Sequence, residues 1–447
     1  MAETFDLIIK GATCVSHAGS GIADVGVRSG QTAALGDLSH AAAAATIDAK
    51  GLHLIPGVID TQVHFREPGN EHKEDLHSGS RAAVLGGVTA VFEMPNTKPA
   101  TTTAEALADK LARARGRMWC DHAFYVGATA ENIEELARLE AVPGCCGVKI
   151  FMGASTGDLL VADDASLEAA LRNGRRRVAI HAEDNARLEA RKAIAQSGDV
   201  ADHPRWRDDE TALLATQRAI AAARRARRRV HILHVTTPQE LAFLSQHKDI
   251  ATVEVTPQHL TLGAPDCYQR LGTRAQMNPP IRSNAHRDGL WRWLRQGVVD
   301  VIGSDHAPHT LEEKAKAYPA SPAGMPGVQT LLPLLLDHAA QGRLSLEHLV
   351  DLTSHGAHRV FGLRGKGRLA LGYDADYSLV DLKRRWTVEK DWLASKCGWS
   401  PFEGMPLQGK PVGTIIRGAM VMWEGELAPA PEGAPIRFQE TLTGDAR

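Results

Sequence analysis

In DTQVHFREPG, residues 60–69, strand-like alternation puts Gln62 and His64 on one face, because side chains at i and i+2 of a strand project side by side. A His-x-His pair at that spacing would grip a metal. Here the first member is an amide, so the stretch reads as a broken metal site, a modified one, or no metal site. Other polar residues recur where later Val/Ile-rich runs end: Asn96, His181, His234, Asn278 and Asp305. A lone histidine at a strand end is more often a hydrogen-bonded structural residue than a ligand. Three from different strands, joined by an aspartate, shift that balance, since imidazole and carboxylate together suit Zn²⁺ or a similar divalent ion.

Lys149 stands inside CCGVKIFMGAS, flanked by apolar residues in what should be a buried strand. Burial makes an ammonium costly and favours the neutral amine, which can capture CO₂ as a carbamate, an anionic two-oxygen ligand able to bridge two metals. The plainer reading is a buried lysine paired to a carboxylate, and residue physics alone favours it. Asp305, in GSDHAPHT, is the natural general base: a carboxylate beside a metal and its water can take a proton and pass it to a leaving nitrogen. The chemistry is hydrolysis of an amide-like or ester-like bond.

These residues need a frame. From about residue 54, short Val/Ile-rich strands alternate with Ala/Leu/Arg-rich helical stretches, the pattern of parallel βα units. Eight strands are expected: Leu54–Phe65, Val88–Met94, Asp121–Val126, Gly147–Met152, Val178–His181, Val230–Val235, Thr252–Val255 and Val299–Gly303. That number closes a (β/α)₈ TIM-like barrel, an α/β fold whose site lies at the C-terminal strand ends. Helices are expected over Thr103–Arg115, Glu131–Leu139 and Asp208–Arg229. The Arg-rich run 224–229 reads as a solvated helix end, because no aromatics interleave it.

The barrel spans 54–363 on this reading. Residues 1–53 (strands Phe5–Lys10 and Ala23–Arg28) and 364–447 (Gly367–Asp381 and Pro411–Glu424) should pair into one small β-sandwich lobe, with the Ala-rich His40–Ala45 a loop or an edge.

The 447 residues allow a large core. With 51 Lys+Arg against 53 Asp+Glu, there is no global attraction to nucleic acid or to an anionic membrane. The expected partner is a small molecule. No secretory signal or membrane-spanning run is read, and six scattered cysteines without CxxC fit a reducing cytoplasm better than a disulfide scaffold.

Seven stretches in order then carry a resemblance: HFREPG (64–69), EMPNTKP (93–99), GVKIFMGASTGDLLV (147–161), IHAEDN (180–185), HILHVTT (231–237), MNPPIR (277–282) and GSDHAPHT (303–310). With them the chain resembles the amidohydrolase superfamily, and within it the dihydroorotases. The later SPFEGMPLQGKPVGTIIRG (400–418) is shared with related cyclic-amide hydrolases and discriminates less.

The resemblance implies that His64, carboxylated Lys149, His181, His234 and Asp305 surround one or two zinc ions, and it raises the carbamate reading of Lys149. Arg66, Asn96 and His309 would hold a substrate carboxylate, Asn278 would contact a pyrimidine ring, and backbone around Ala323–Gly324 would add hydrogen bonds. Turn formation is the simpler role for Asn96 and Asn278. The implied activity is reversible hydrolysis of L-dihydroorotate to N-carbamoyl-L-aspartate in pyrimidine biosynthesis, since hydantoinase- and allantoinase-like relatives usually lack the MPNT and DHAPHT wording.

The departure is Gln62, where the family pattern has a histidine. It implies one tightly held zinc and a second position weak or empty, with Gln62 a poor ligand through its side-chain oxygen or an amide that only hydrogen-bonds to a water. Two competing readings stand beside this: a catalytically inactive subunit partnering aspartate transcarbamoylase, and a hydrolase of another cyclic ureide. A homodimer is a further partner considered.

Overall fold

The computed structural model describes residues 4–153 and 159–439. Residues 154–158 of the 147–161 motif, and 440–447 of the C-terminal β segment, lie outside the described residues. Eight parallel strands follow one another in sequential order around one sheet: β1 (Val58–Val63), β2 (Val88–Glu93), β3 (Asp121–Gly127), β4 (Cys145–Phe151), β5 (Val178–His181), β6 (Val230–Ile232), β7 (Ala251–Val255) and β8 (Val301–Ile302). Each is buried along its whole length. That is why they read as near-continuous apolar runs: in a covered parallel sheet neither face meets water.

The ring closes just beyond β8, which is only 2 residues long. Val63 bridges His306 in parallel, and the His64 N–H donates to the His306 carbonyl at 2.7 Å. Side chains lace the same seam. The Ser304 N–H donates to Asp60 at 2.9 Å, and the Gln258 amide donates to the Ser304 carbonyl at 2.6 Å.

Local sequence explains the outer helices. Ala104–Ala114 is capped by Thr103, whose side chain accepts from the Ala106 N–H. Asp209–Ala226 is capped by Asp208 and stops at Arg227, whose φ of 53° cannot continue a right-handed helix. The segment expected as one helix over Glu131–Leu139 is a 3₁₀ turn at Ile133–Glu135 followed by α-helix only at Leu136–Leu139. The arginine run also departs from its simple reading. Arg224 and Arg225 pair at the surface with Asp249 and Glu168, but the turn at Arg227 swings Arg228 inward. Arg228 is 3% exposed, ion-paired with Glu140, and donates to the carbonyls of Asn173 and Arg176.

Both chain ends build a second sheet, of nine strands. The N-terminal part supplies Thr4–Ser16, Gly19–Arg28, Gln31–Gly36, Ala42–Asp48 and His53–Pro56; the C-terminal part supplies Tyr377–Thr387, Pro406–Ile416, Ala419–Trp423 and Glu426–Leu427. His53–Pro56 is the splice, parallel to Thr13–Cys14 and antiparallel to Tyr377–Val380. Leu7, Ile9, Val25, Leu54, Tyr377, Leu379 and Ile415 form the lobe's own core.

Three expected strands are therefore corrected. Leu54–Phe65 breaks at Gly57, with the lobe before it and the barrel after it. A Cβ at residue 57 would lie 2.2 Å from Thr89 Oγ1, so only glycine lets the chain pass from one sheet to the other there. In Gly367–Asp381 the strand begins only at Tyr377, and Pro411–Glu424 is divided by a positive-φ turn at Arg417–Gly418. The Ala-rich stretch enters the edge strand Ala42–Asp48, paired with Thr4–Lys10. Among the described residues no helix is long and apolar enough to cross a membrane, and all six cysteines are unpaired.

A buried charge cluster ties lobe to barrel. Lys366 Nζ lies 2.5 Å from Asp121 on β3, 2.5 Å from Asp376 and 3.1 Å from Asp374. Arg417 pairs with the same Asp121. Removing Lys366 takes from the buried Asp376 its ion-pair partner and leaves Asp121 and Asp374 with one cation fewer. Lys366→Met should therefore cost about 3–5 kcal/mol in a denaturant-unfolding measurement; a loss below about 1 kcal/mol, the range of exposed pairs, would contradict this.

Candidate active site

At the C-terminal strand ends one cavity is lined by Gln62, His64, Lys149, Phe151, His181, His234, Asn278, Asp305, Ala307, Ala323 and Gly324. The fold thus gathers nine residues that the sequence singled out. Arg66, Asn96 and His309 do not line it; they stand behind the wall. Asn96 meets His64, and His309 meets the carbonyl of Ala323.

Backbone strain marks the same places. Arg66, His234 and Asp305 hold φ of 66°, 36° and 44°, a region L residues with long side chains rarely adopt. The chain turns sharply at each strand end, which brings His234 and Asp305 into the cavity wall and Arg66 behind it.

The hydrogen-bond partners orient the imidazoles. His64 Nδ1 lies 2.8 Å from Asn96 Oδ1, an acceptor, so Nδ1 carries the proton. Nε2 then points its lone pair at Asp305 Oδ1, 3.2 Å away. His181 Nε2 donates to Glu183 Oε2 at 2.9 Å, and its Nδ1 faces His234 Nε2 at 3.0 Å. Burial lowers all three histidines, leaving them neutral. The Nε2 lone pair of His64 facing the Asp305 carboxylate leaves room for a proton or a cation between them, and the Glu183 carboxylate fixes the tautomer of His181 as a ligating histidine needs.

Lys149 does not follow the plainer reading. It is 1% exposed, and its Nζ has no hydrogen-bond partner and, among the described residues, no carboxylate within ion-pair distance. The nearest aromatic is Phe151, with the amine 4.5 Å from the ring centre. Burial pulls Lys149 down to about 7, against the smaller opposing pull of Asp305 and Glu254. A desolvated amine of this kind is a nucleophile poised near neutrality.

Gln62 makes a hydrogen bond to a neighbouring side chain. Its Nε2 donates to Asp305 Oδ1 at 3.0 Å, while Oε1 has no partner. The amide thus serves first as a donor that fixes the aspartate. Among the described residues no group of three or more His, Cys, Asp or Glu is arranged to hold a metal unaided. The donors instead stand as two pairs, His64–Asp305 and His181–His234, with the unpartnered amine of Lys149 on the same wall. As a set they fit a divalent ion chemically, provided Lys149 contributes an anionic oxygen ligand.

Behind the wall lies an uncompensated cation. Arg66 is 6% exposed, and among the described residues no carboxylate comes within ion-pair distance of it. Its Nε donates to the Pro308 carbonyl at 3.1 Å, and its Nη2 faces His309 Nε2 at 3.3 Å. That nitrogen already donates to the Ala323 carbonyl at 3.0 Å, while His309 Nδ1 takes a bond from Lys73 at 3.2 Å. His309 therefore cannot accept from Arg66, and the guanidinium keeps donors to spare. Burial lowers Arg66 to about 10, still charged at neutral pH.

Several residues escaped the sequence reading. Glu183, fully buried, holds His181 and pairs with Arg207. Burial raises its carboxyl, but Arg207 and His181 outweigh that and hold it at about 2. His203 Nε2 lies 3.0 Å from Asn278 Oδ1 and orients that side chain. Glu183 sits inside the IHAEDN motif, two residues from His181, so its signal was present; His203 had none.

A (β/α)₈ barrel with imidazole, carboxylate and a buried amine converging at its C-terminal mouth has the arrangement of a hydrolase active site. The chain belongs to the amidohydrolase family, whose model matches residues 53–421. It is similar to a dihydroorotase of Halobacterium salinarum, 39% identical over 388 residues, covering 86% of this chain and 89% of that one. It is also similar to an allantoinase of Deinococcus radiodurans, 36% identical over 448 residues, covering 97% and 99%. The solved L-hydantoinase (dihydropyrimidinase) from Arthrobacter aurescens superposes with a TM-score of 0.92 at 32% identity, over 97% of this chain and 99% of that one. The protein is a cyclic amidohydrolase.

Glu183→Ala should cost about 3–5 kcal/mol by removing the buried carboxylate that pairs with Arg207 and holds His181. The double variant Glu183→Ala/Arg207→Met should recover part of that loss in equilibrium unfolding, and strict additivity would show the pair to be uncoupled.

Proposed function

We propose that this chain catalyses the reversible hydrolysis of L-dihydroorotate to N-carbamoyl-L-aspartate. The observation that carries the reading is Arg66, a buried guanidinium beside the cavity with no carboxylate partner and donors unfilled. A planar fork of N–H groups matches a carboxylate at two points, and a ring bearing that carboxylate supplies the missing anion. Asn96 and His309 complete the grip, Asn278 meets the ring, and the Ala323–Gly324 backbone contributes hydrogen bonds.

His64, His181, His234, Asp305 and carboxylated Lys149 would hold zinc. When bound, the metal supplies Lewis acidity toward the carbonyl under attack and makes water more acidic. Asp305 takes a proton from the attacking water and returns it to the departing ring nitrogen. Gln62 and His64 both lie against Asp305 Oδ1, which fixes the direction in which that proton moves.

A catalytically silent role is not favoured. Only one position of the expected ligand set is changed, and that residue now braces the proposed base. A second reading has one observation behind it: the allantoinase relative covers 97% of the chain and the dihydroorotase relative 86%. A ring lacking the carboxylate would leave Arg66 without an anion, which is why the carboxylated ring is preferred.

Asp305→Ala should abolish turnover of L-dihydroorotate while thermal unfolding stays close to wild type; an active variant would remove Asp305 from its role. Arg66→Met should raise KM for the same substrate by about 100-fold, as expected when a charge-assisted bidentate contact is lost. Retained affinity would sink the carboxylate assignment. Metal analysis after exhaustive dialysis should find one zinc per chain in the wild type and two in Gln62→His. Two in the wild type would contradict the reading of Gln62.

A further inference from the structure

Lys314 ends the short helix Leu311–Lys314, in the loop beyond β8. It is 1% exposed, and among the described residues it has no carboxylate within ion-pair distance. Three backbone carbonyls take that place: Nζ donates to Pro322 at 2.8 Å, Gly324 at 3.0 Å and Gln276 at 3.1 Å. An ammonium has three N–H donors and a neutral amine two, so three acceptors match the charged form. Burial, and then the charge of Arg66, pulls Lys314 down to about 7.

The carbonyls that Lys314 holds bracket a stretch of the cavity wall. The Gly324 N–H donates to the same Gln276 carbonyl at 2.9 Å, and the neighbouring Ala323 carbonyl accepts from His309 at 3.0 Å. Gly324 has φ of +134°, and a Cβ there would lie 2.5 Å from the Ala307 carbonyl oxygen. The segment is therefore fixed by Lys314 on one side and His309 on the other, with no room for a side chain. Gln276 lies two residues before Asn278, so the anchor also reaches the loop after β7.

We propose that Lys314 is a positioning residue, one that sets the Ala323–Gly324 backbone against the cavity and adds a buried positive charge favouring carboxylate-bearing rings over neutral ones. The charge part rests on the proposed function; the positioning part does not. No sequence signal separates Lys314 from a surface lysine in TLEEK.

The test uses the full-length wild type, Lys314→Met and Lys314→Arg. Amide hydrogen exchange is followed over 320–326, and KM and kcat are measured for L-dihydroorotate and for dihydrouracil, the same ring without the carboxylate. In Lys314→Met, exchange should rise about tenfold or more. Its KM should rise about tenfold more for dihydroorotate than for dihydrouracil, with kcat for dihydroorotate within about threefold. Lys314→Arg keeps the charge but cannot reproduce a compact three-way donor, so exchange should rise while the preference for the carboxylated ring persists. Should the methionine variant fail to fold, Lys314→Gln, which keeps N–H donors without the charge, decides the charge part and Lys314→Arg the positioning part. Unchanged exchange overturns the positioning, and equal losses on both rings overturn the charge selection. A wild type inert toward dihydroorotate sinks the substrate reading instead, and the exchange result then judges the placement alone.

Discussion

The closure of the barrel between its first and last strands is the contact on which the site depends. β8 is too short to form a full ladder with β1, and the ring is completed by the Val63–His306 bridge and the bond from the His64 N–H to the His306 carbonyl. Those residues flank the chemistry. Closing the seam brings Gln62 and His64 from one end of the barrel sequence against Asp305 from the other, and the positive φ at Asp305 turns its carboxylate into the mouth. Asp60 and Ser304, one layer below, keep the seam from opening. Fold stability and site geometry are therefore one constraint at this point.

Around that seam the protein keeps an unusual balance of buried charge. Where charges serve architecture they are matched, as in Lys366 with its aspartates, Arg228 with Glu140 and Arg207 with Glu183. Near the cavity they are not. Among the described residues, Lys149, Arg66 and Lys314 are all buried with no carboxylate within ion-pair distance. Desolvated cations carry a cost that native structures rarely tolerate without return. On the proposed function, Arg66 would be answered by a substrate carboxylate, and the amine of Lys149 would become anionic as a carbamate.

Much of this was legible in the sequence for simple reasons. Strands buried on both faces are continuous Val/Ile/Ala runs, so the eight-strand frame could be counted, and its rule for strand ends located His64, His181, His234 and Asp305. What could not be read depends on contacts between distant segments. The break at Gly57 is set by Thr89, and the burial of Arg228 by Glu140, 88 residues away. The donor role of the Gln62 amide toward Asp305 required the barrel to be closed first. The strained φ values at Arg66, His234 and Asp305 carry no composition signal, because the residues there are chosen for chemistry rather than for the turn.

The central claim is that the buried positive charge beside the cavity selects a carboxylated ring. It is tested most directly by the ratio of kcat/KM values of the purified wild-type protein for L-dihydroorotate against allantoin and a 5-substituted hydantoin. A site built around a charged group rejects analogues lacking its partner by large factors, so the ratio should favour dihydroorotate by about 1,000-fold or more. Equal or better turnover of either carboxylate-free ring would contradict the account.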